Sequence, residues 1–190
     1  LAWTRPPTAP YNPRPAAMNE ILVILALILL NGLLSGAEIA IVAVRQSRLE
    51  ELVRAGRSSA AAAKKLRAQP ERFLATVQIG ITVAGAAAAA FGGASLADDL
   101  ATPLAAWPLV DGWAEELAFA LVVGAISFLS IVLGELVPKR LALLGPDRIA
   151  RLVAPSLHWL SVVTRPVVRV LSISTDGILA LVRGRTTPEP

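Results

Sequence analysis

Three long apolar runs, at residues 21–44, 73–97 and 117–144, constrain this chain more than any other feature. A helix needs about 20 predominantly apolar residues to cross a bilayer, and each run reaches that length. Inside lipid, a spanning segment of this kind must satisfy its backbone hydrogen bonds internally, which a helix does. With 55% hydrophobic residues overall, the chain is predicted to be an all-α membrane protein with three transmembrane helices.

The basic residues between these runs predict an orientation. Residues 45–72 contain eight Lys and Arg, residues 98–116 contain none, and eight more follow Pro138. Because cytoplasmic loops are enriched in Lys and Arg, we expect the N-terminus outside and the C-terminus in the cytoplasm, in the plasma (inner) membrane. The net charge of +4 is thereby explained as an orientation signal, and no nucleic-acid partner is predicted.

The segments outside the spans carry weaker signals. Residues 1–17 contain five prolines and are predicted to be disordered, and residues 186–190 resemble a linker. Residues 58–69 predict a short surface helix capped by Ser58 or Ser59. Residues 147–183 predict short amphipathic helices, divided by prolines, that form a belt in the cytoplasmic membrane interface. The dividing prolines are Pro146, Pro155 and Pro166.

The segment 134–139, Gly-Glu-Leu-Val-Pro-Lys, is the strongest candidate for chemistry. A carboxylate inside a membrane helix costs about 2.5–3.5 kcal/mol, so Glu135 is a candidate functional residue. Pro138 has no N–H to bond the carbonyl of Gly134, four residues back. Carboxylates and carbonyls are ligands of hard cations. The structural alternative is a proline kink, with Glu135 extending to the headgroups.

Other polar residues in the spans also donate oxygen. Asn31, Ser35 and Glu38 share one helix face, because they are spaced at i, i+4 and i+7. Thr82, Gln78 and Ser130 are further candidates. Oxygen donors favour magnesium, calcium or sodium over zinc or copper. No histidine lies in a span and there is no Ser/His/Asp set, so hydrolytic or redox catalysis is not predicted. Alternatively the hydroxyls join helices, and Glu38 pairs with Arg45 or Arg48.

Three motifs together resemble the transmembrane domain of the CNNM/CorC family. They are residues 31–38 in the first helix, 70–82 at the start of the second, and 134–139 in the third. The resemblance covers about residues 18–185 and implies a dimer with three membrane helices per chain and a cytoplasmic belt. It also implies sodium-coupled magnesium efflux, with Mg²⁺ as the transported ion. A CBS-domain pair normally follows in the family and is absent here, so we expect either a truncated chain or a membrane-only protein.

The resemblance also implies a ligand set for a dehydrated cation. Ser35, the Gly134 carbonyl and Glu135 match family ligand positions, and we predict Thr82 as a weaker fourth ligand. Many magnesium-handling relatives have Ser where this chain has Ala37, and asparagines in the second helix where it does not. Export of a polyamine or another cation, and a non-transporting scaffold or sensor, therefore remain alternatives.

The second run is rich in small residues between Gly80 and Gly93. Ala84 with Ala88, and Gly85 with Ala89, are pairs spaced by four that let two membrane helices approach closely. This face predicts a homodimer packed partly through the second helix.

Overall fold

The structure, a computed structural model, describes residues 15–183, without the side chains of residues 15–17, 94–95, 111 and 182–183. This part of the chain is helical and contains no strand, so the predicted all-α class is confirmed. In chain order the helices are α1 (Pro15–Ala43), α2 (Gln46–Arg54), α3 (Ser58–Ala68), α4 (Pro70–Leu104), α5 (Ala114–Ile131), α6 (Val137–Leu144), α7 (Pro146–Val163) and α8 (Arg165–Arg183). A 3₁₀ turn, Asp111–Trp113, precedes α5, and a π-helical turn, Val132–Leu136, joins α5 to α6.

Three helical stretches are long and apolar enough to cross a membrane: Met18–Ala43, Pro70–Leu104 and Ala114–Leu144. The predicted number of spans is therefore confirmed. Helix α4, the second span, extends beyond its apolar run of residues 73–97 at both ends. It begins at Pro70 because proline is well tolerated in the first turn, where the N–H has no partner within the helix. The third span is continuous through the π-helical turn.

The two terminal predictions lie almost wholly outside the described residues. Residues 1–14 and 184–190 are not described, which includes most of the segment predicted to be disordered and all of the predicted linker. Helix α1 begins at Pro15, three residues before the predicted start of the domain at Met18.

Pro155 does not divide the chain as predicted, because α7 continues through it from Pro146 to Val163. The proline removes one hydrogen bond, to the carbonyl of Arg151. Pro155 is exposed, whereas Ala154 and Leu157 on either side of it are buried. Packing of the buried face therefore holds the helix together across the missing bond. Pro146 and Pro166 do mark helix starts.

The structure of the basic segment differs from the sequence prediction in one cap and in one additional helix. Ser58 and Ser59 are the first residues of α3 rather than its cap, which is Arg57 and makes no side-chain capping bond. Helix α2 was not predicted. Its charged side chains form i,i+3 and i,i+4 contacts, for example a 2.7 Å ion pair between Arg48 and Glu51, and such pairs stabilise short helices.

Two apolar cores hold the spans together. The larger one joins the C-terminal end of α1 and the start of α4 to the short helices α2, α3, α6 and α7. The smaller one joins α1, α4 and α5 near the other end of the spans. The larger core buries, among others, Ile41, Leu49, Leu66, Phe73 and Leu157. We call α2, α3 and α7 the belt helices. Helices α3 and α7 pack on each other and on α1 and α4, and α2 packs on α3.

One line of small residues on α4 faces the inside of the protomer. Gly80 lies against Leu34 of α1, and Gly92 against Ile126 of α5. Ala84 and Ala88, between them, are 3% and 1% exposed. Because these four residues are spaced by four, they form a single line on which α1 and α5 pack closely.

Candidate cation site

The third span widens into a π-helical turn at the predicted motif. The N–H of Val137 bonds the carbonyl of Val132, five residues back, instead of the carbonyl four residues back. Pro138 follows and offers no N–H to Gly134, as the sequence predicts. Single π-turns inside α-helices occur frequently at functional sites. Irregular backbone at membrane depth is tolerated where it is covered by protein, and this turn lies against α1.

Helix α1 approaches this turn closely because the facing residues are glycines. A methyl group on Gly32 would lie 2.8 Å from the Leu133 carbonyl oxygen and 2.9 Å from Cγ of Pro138. A methyl group on Gly134 would lie 3.0 Å from Nδ2 of Asn31. Gly36, one turn further on, contacts Pro138 in the same way, with its Cβ position 3.2 Å from the proline carbonyl oxygen. Backbone of both spans is therefore in contact at the motif.

Two buried oxygens of α1 have no hydrogen-bond partner among the described residues. They are Oδ1 of Asn31 and Oγ of Ser35, and the two residues are 7% and 0% exposed. Leaving such an acceptor unpaired costs about 1–3 kcal/mol, and most buried polar groups are paired. An oxygen-binding cation is one ligand that would satisfy both atoms.

Asn31 was missing from the predicted ligand set, although its spacing signalled it. It shares one helix face with Ser35 and Glu38, and it lies against Gly134. Asn31 lies against Gly134 of the π-helical turn, and Ser35 is one helical turn after Asn31 on α1.

Glu135 is bonded to the residue four positions later. Its Oε1 accepts a 2.6 Å hydrogen bond from Nζ of Lys139, and the two side chains are 47% and 32% exposed. The carboxylate is next to the buried Gly134 but is not itself buried. The ammonium group neutralises it, which lowers the cost of holding a carboxylate in a membrane span.

The predicted ligands on α4 lie elsewhere in the protomer. Thr82 and Gln78 are both exposed. Each is two residues from Gly80, which corresponds to about 200° around a helix, and Gly80 faces α1. Within one chain these two side chains therefore point away from Asn31 and Ser35.

The remaining candidates are half-buried. Ser130 is partly exposed on α5. Glu38 is partly exposed on α1, and no ion pair joins it to Arg45 or Arg48 in the described part of the chain. Arg48 instead pairs with Glu51 at 2.7 Å and with Asp147 at 3.9 Å.

The donor set is therefore mostly neutral. In residues 15–183 no three His, Asp or Glu residues form a metal-binding group. What the structure offers is an amide oxygen, a hydroxyl and one half-exposed carboxylate beside an irregular backbone. Such ligands suit a hard cation that is bound and released, in contrast to a structural metal held by several charged ligands.

Comparison with known proteins agrees with this architecture. Residues 22–190 match the model of the cyclin M (CNNM) transmembrane N-terminal domain. The UPF0053 protein sll0260 of Synechocystis is 48% identical over 85% of this chain and 36% of its own length. The UPF0053 protein YhdP of Bacillus subtilis is 28% identical over 82% of this chain and 35% of its own length.

A third relative carries a functional name. The polyamine export protein of Haemophilus influenzae is 27% identical over 90% of this chain and 39% of its own length. The chain thus spans between about a third and two-fifths of the length of these three relatives. With a family match over nearly all of its described length and three helices able to cross a membrane, the chain belongs to the CNNM transmembrane domain family.

Proposed function

We propose that this chain is the membrane domain of a cation transporter, with Mg²⁺ as its first candidate substrate. The observation that supports this best is the pair of buried, unpartnered oxygens on Asn31 and Ser35. Asn31 lies where α1 contacts the π-helical turn at Gly134, and Ser35 follows it by one helical turn. Leaving each acceptor unpaired costs about 1–3 kcal/mol, so a cation that bonds both oxygens would recover that free energy.

The proposed cation is bound by oxygens from two spans. Asn31 and Ser35 supply neutral ligands, the Gly134 carbonyl supplies a third, and Glu135 supplies the charge after it leaves Lys139. A hard cation and the Lys139 ammonium compete for the same carboxylate, since both are attracted to its negative charge. Binding and release of the cation are then linked to the movement of the Glu135 side chain away from and back to Lys139.

The proposed direction is efflux, coupled to sodium. Neutral oxygen ligands with a single carboxylate suit Na⁺ as well as Mg²⁺, because both are hard cations. One site occupied in turn by the two ions would exchange them across the membrane. This coupling is part of the proposal and rests on the donor chemistry together with the family.

A polyamine is the second candidate substrate. The Haemophilus influenzae relative is named as a polyamine exporter. In this chain, Glu135 already binds an alkylammonium group, that of Lys139, at 2.6 Å. A polyamine presents the same chemical group, so the carboxylate would recognise it by exchanging one ammonium for another.

Replacing Ser35 by alanine tests the site by moving two quantities in opposite directions. We expect the ion-free protein to become more stable, because an unpaired buried hydroxyl is removed at a gain of about 1 kcal/mol or more. We expect Mg²⁺ affinity to fall about tenfold, because one ligand is lost. Thermal unfolding in detergent and calorimetric titration with Mg²⁺, Ca²⁺, Na⁺ and putrescine measure both effects.

The control for this experiment is Ser127→Ala, which removes a hydroxyl from an exposed position of α5. It should leave both quantities within error. If Ser35→Ala stabilises the protein and every cation still binds as before, Ser35 is not a ligand. If putrescine alone depends on Ser35, the substrate is a polyamine.

We also propose a homodimer, in which the outer face of α4 packs against its copy. The inner line of small residues on α4 packs against α1 and α5 of the same protomer, and Ala84 in this line is buried. The outer face keeps Gly85 with no atom within 4 Å of a Cβ position, and Ala89 and Thr82 exposed. Small residues allow close approach, and a partner helix would cover the polar Thr82.

Gly85→Leu is expected to shift the protein towards monomer in mild detergent, because it adds a bulky side chain to the outer face. Gly124→Leu on α5 is the matched control, since a side chain there also meets nothing within 4 Å. Size-exclusion chromatography with light scattering gives the mass. A dimer unaffected by Gly85→Leu, or one weakened equally by Gly124→Leu, places the interface elsewhere. Ala84→Leu is unsuitable, because it would disrupt the protomer itself.

The proposed orientation has the N-terminus outside and the belt helices in the cytoplasm of a plasma (inner) membrane. A cysteine replacing the exposed Thr102, at the end of α4, should react with a membrane-impermeant maleimide added to intact cells. A cysteine replacing the exposed Ser58, at the start of α3, should react only after lysis. The reverse labelling pattern would contradict the charge argument.

A further inference from the structure

A cavity of about 430 Å³ lies where α3, α4, α7 and α8 meet. It is separate from the candidate cation site. A neighbouring cavity of about 330 Å³ shares Arg72 and Arg165 with it and adds Arg169. The first cavity is lined by Lys65, Leu66, Ala68, Gln69, Arg72, Phe73, His158, Ser161 and Arg165.

The charged side chains around these cavities are mostly positive. Lys65, Arg72, Arg165 and Arg169 are cationic, His158 is titratable, and Glu71 of the second cavity is the one carboxylate in the two linings. None of the four cations forms an ion pair within residues 15–183. Arg72 makes only a 3.5 Å hydrogen bond to Oε1 of Gln69.

These free cations contrast with other basic residues of the same segment. Arg48 pairs with Glu51 and Lys64 lies 3.8 Å from Glu50. Arg67 donates a hydrogen bond to the carbonyl of Val44, at the end of α1. In the described part of the chain Arg45, Arg54 and Arg57 also lack such partners, but they are exposed and line neither cavity. Lys65 and Arg72 combine the lack of an ion pair with a place in the cavity lining.

The helix ends at the cavity do not determine the sign of its electrostatic potential. α4 and α8 begin here, which favours an anion, whereas α3 and α7 end here, which opposes one. These opposing contributions roughly cancel, so the side chains decide the local potential. The Ser161 hydroxyl donates to the carbonyl of His158 at 2.8 Å. The charged donors of the cavity are therefore the guanidinium and ammonium groups.

We propose that this cavity binds a phosphate group, held by Arg72 and Arg165 with Lys65 at its rim. The planar guanidinium matches phosphate oxygens with two parallel hydrogen bonds, and two arginines converging on one cavity are typical of phosphate recognition. The volume is sufficient for a phosphate together with the small group that it esterifies.

The headgroup of an anionic lipid is the favoured source of this phosphate. The cavity lies at the first turn of α4, where a membrane-spanning helix begins. Next to it, α8 exposes apolar side chains, including Val167, Val170 and Leu171. A basic recess beside an exposed apolar helix face suits a lipid whose phosphate is bound and whose chains remain in the membrane. A soluble phosphate compound offers the same chemistry, and the experiment separates the two.

The test is the double substitution Arg72→Gln with Arg165→Gln in the full chain, purified in mild detergent. Short-chain phosphatidic acid, short-chain phosphatidylcholine and inorganic pyrophosphate are titrated separately. We expect phosphatidic acid to bind and phosphatidylcholine to bind weakly. The double substitution should lower phosphatidic acid affinity at least tenfold. The matched control is Arg54→Gln with Arg57→Gln, which removes two exposed arginines that do not line the cavity.

Each outcome decides the proposal. A loss of affinity in the Arg72/Arg165 double variant, but not in the Arg54/Arg57 control, supports a phosphate site. If pyrophosphate neither binds nor competes, the phosphate comes from a lipid. If pyrophosphate binds and phosphatidic acid does not, the phosphate comes from a soluble compound. Equal losses in both pairs mean a diffuse charge effect and overturn the site, as does the absence of any binding. Should the double variant fail to fold, the single Arg165→Gln, at an exposed position, is measured in its place, with a smaller loss expected.

Discussion

Glu135→Gln is expected to abolish cation transport while the helical bundle stays folded. Glutamine keeps the shape and one oxygen of the carboxylate but removes its charge. The rest of the proposed ligand set is neutral, so this charge provides most of the attraction for a cation in a span. We expect Mg²⁺ affinity to fall at least a hundredfold, because a ligand and its charge are worth about 3 kcal/mol or more.

Lys139 gives this experiment a variant with the opposite expected effect. Its Nζ occupies the carboxylate at 2.6 Å, so Lys139→Gln should free Glu135 and raise cation affinity. Glu116→Gln, an exposed carboxylate at the other end of the same span, is the matched control and should leave transport unchanged. Transport into proteoliposomes and calorimetric titration are the measurements. If Glu135→Gln transports normally, the site is misplaced.

Gly32→Ala is expected to damage both the fold and the site. The new methyl group would lie 2.8 Å from the carbonyl oxygen of Leu133 and 2.9 Å from Cγ of Pro138. Leu133 belongs to the π-helical turn and Pro138 to the first turn of α6, so α1 must separate from both to admit the methyl group. Overpacking of this kind costs about 1–3 kcal/mol, and the separation also disperses Asn31, Ser35 and Gly134.

Gly124→Ala is the matched control for Gly32→Ala. A side chain at Gly124 meets no atom within 4 Å, and alanine is favoured over glycine in a helix by up to about 1 kcal/mol. The control should therefore be neutral or more stable, whereas Gly32→Ala should unfold at a lower temperature and bind Mg²⁺ more weakly. Unchanged unfolding and binding in Gly32→Ala would mean that close contact between α1 and the turn is not needed.

The amino-acid sequence by itself determined the three crossings and the local features of the Gly134–Pro138 motif. Length and hydropathy are sufficient for spans, because a bilayer sets a minimum of about 20 apolar residues. The absence of an N–H in Pro138 predicted that the Gly134 carbonyl lacks its helical hydrogen bond. The spacing of Asn31 and Ser35 placed both on one face. These are local properties, which depend on residue type and helical period only.

The tertiary structure alone decided which faces meet. It placed Gly80 and Ala84 inside the protomer and Thr82 outside, and it joined Glu135 to Lys139. In a soluble helix the polar face shows which side is exposed, but in a membrane span the lipid-facing and packed faces are both apolar. The sequence pattern of α4 therefore carries little information on orientation, and close packing between glycines and their neighbours sets it instead.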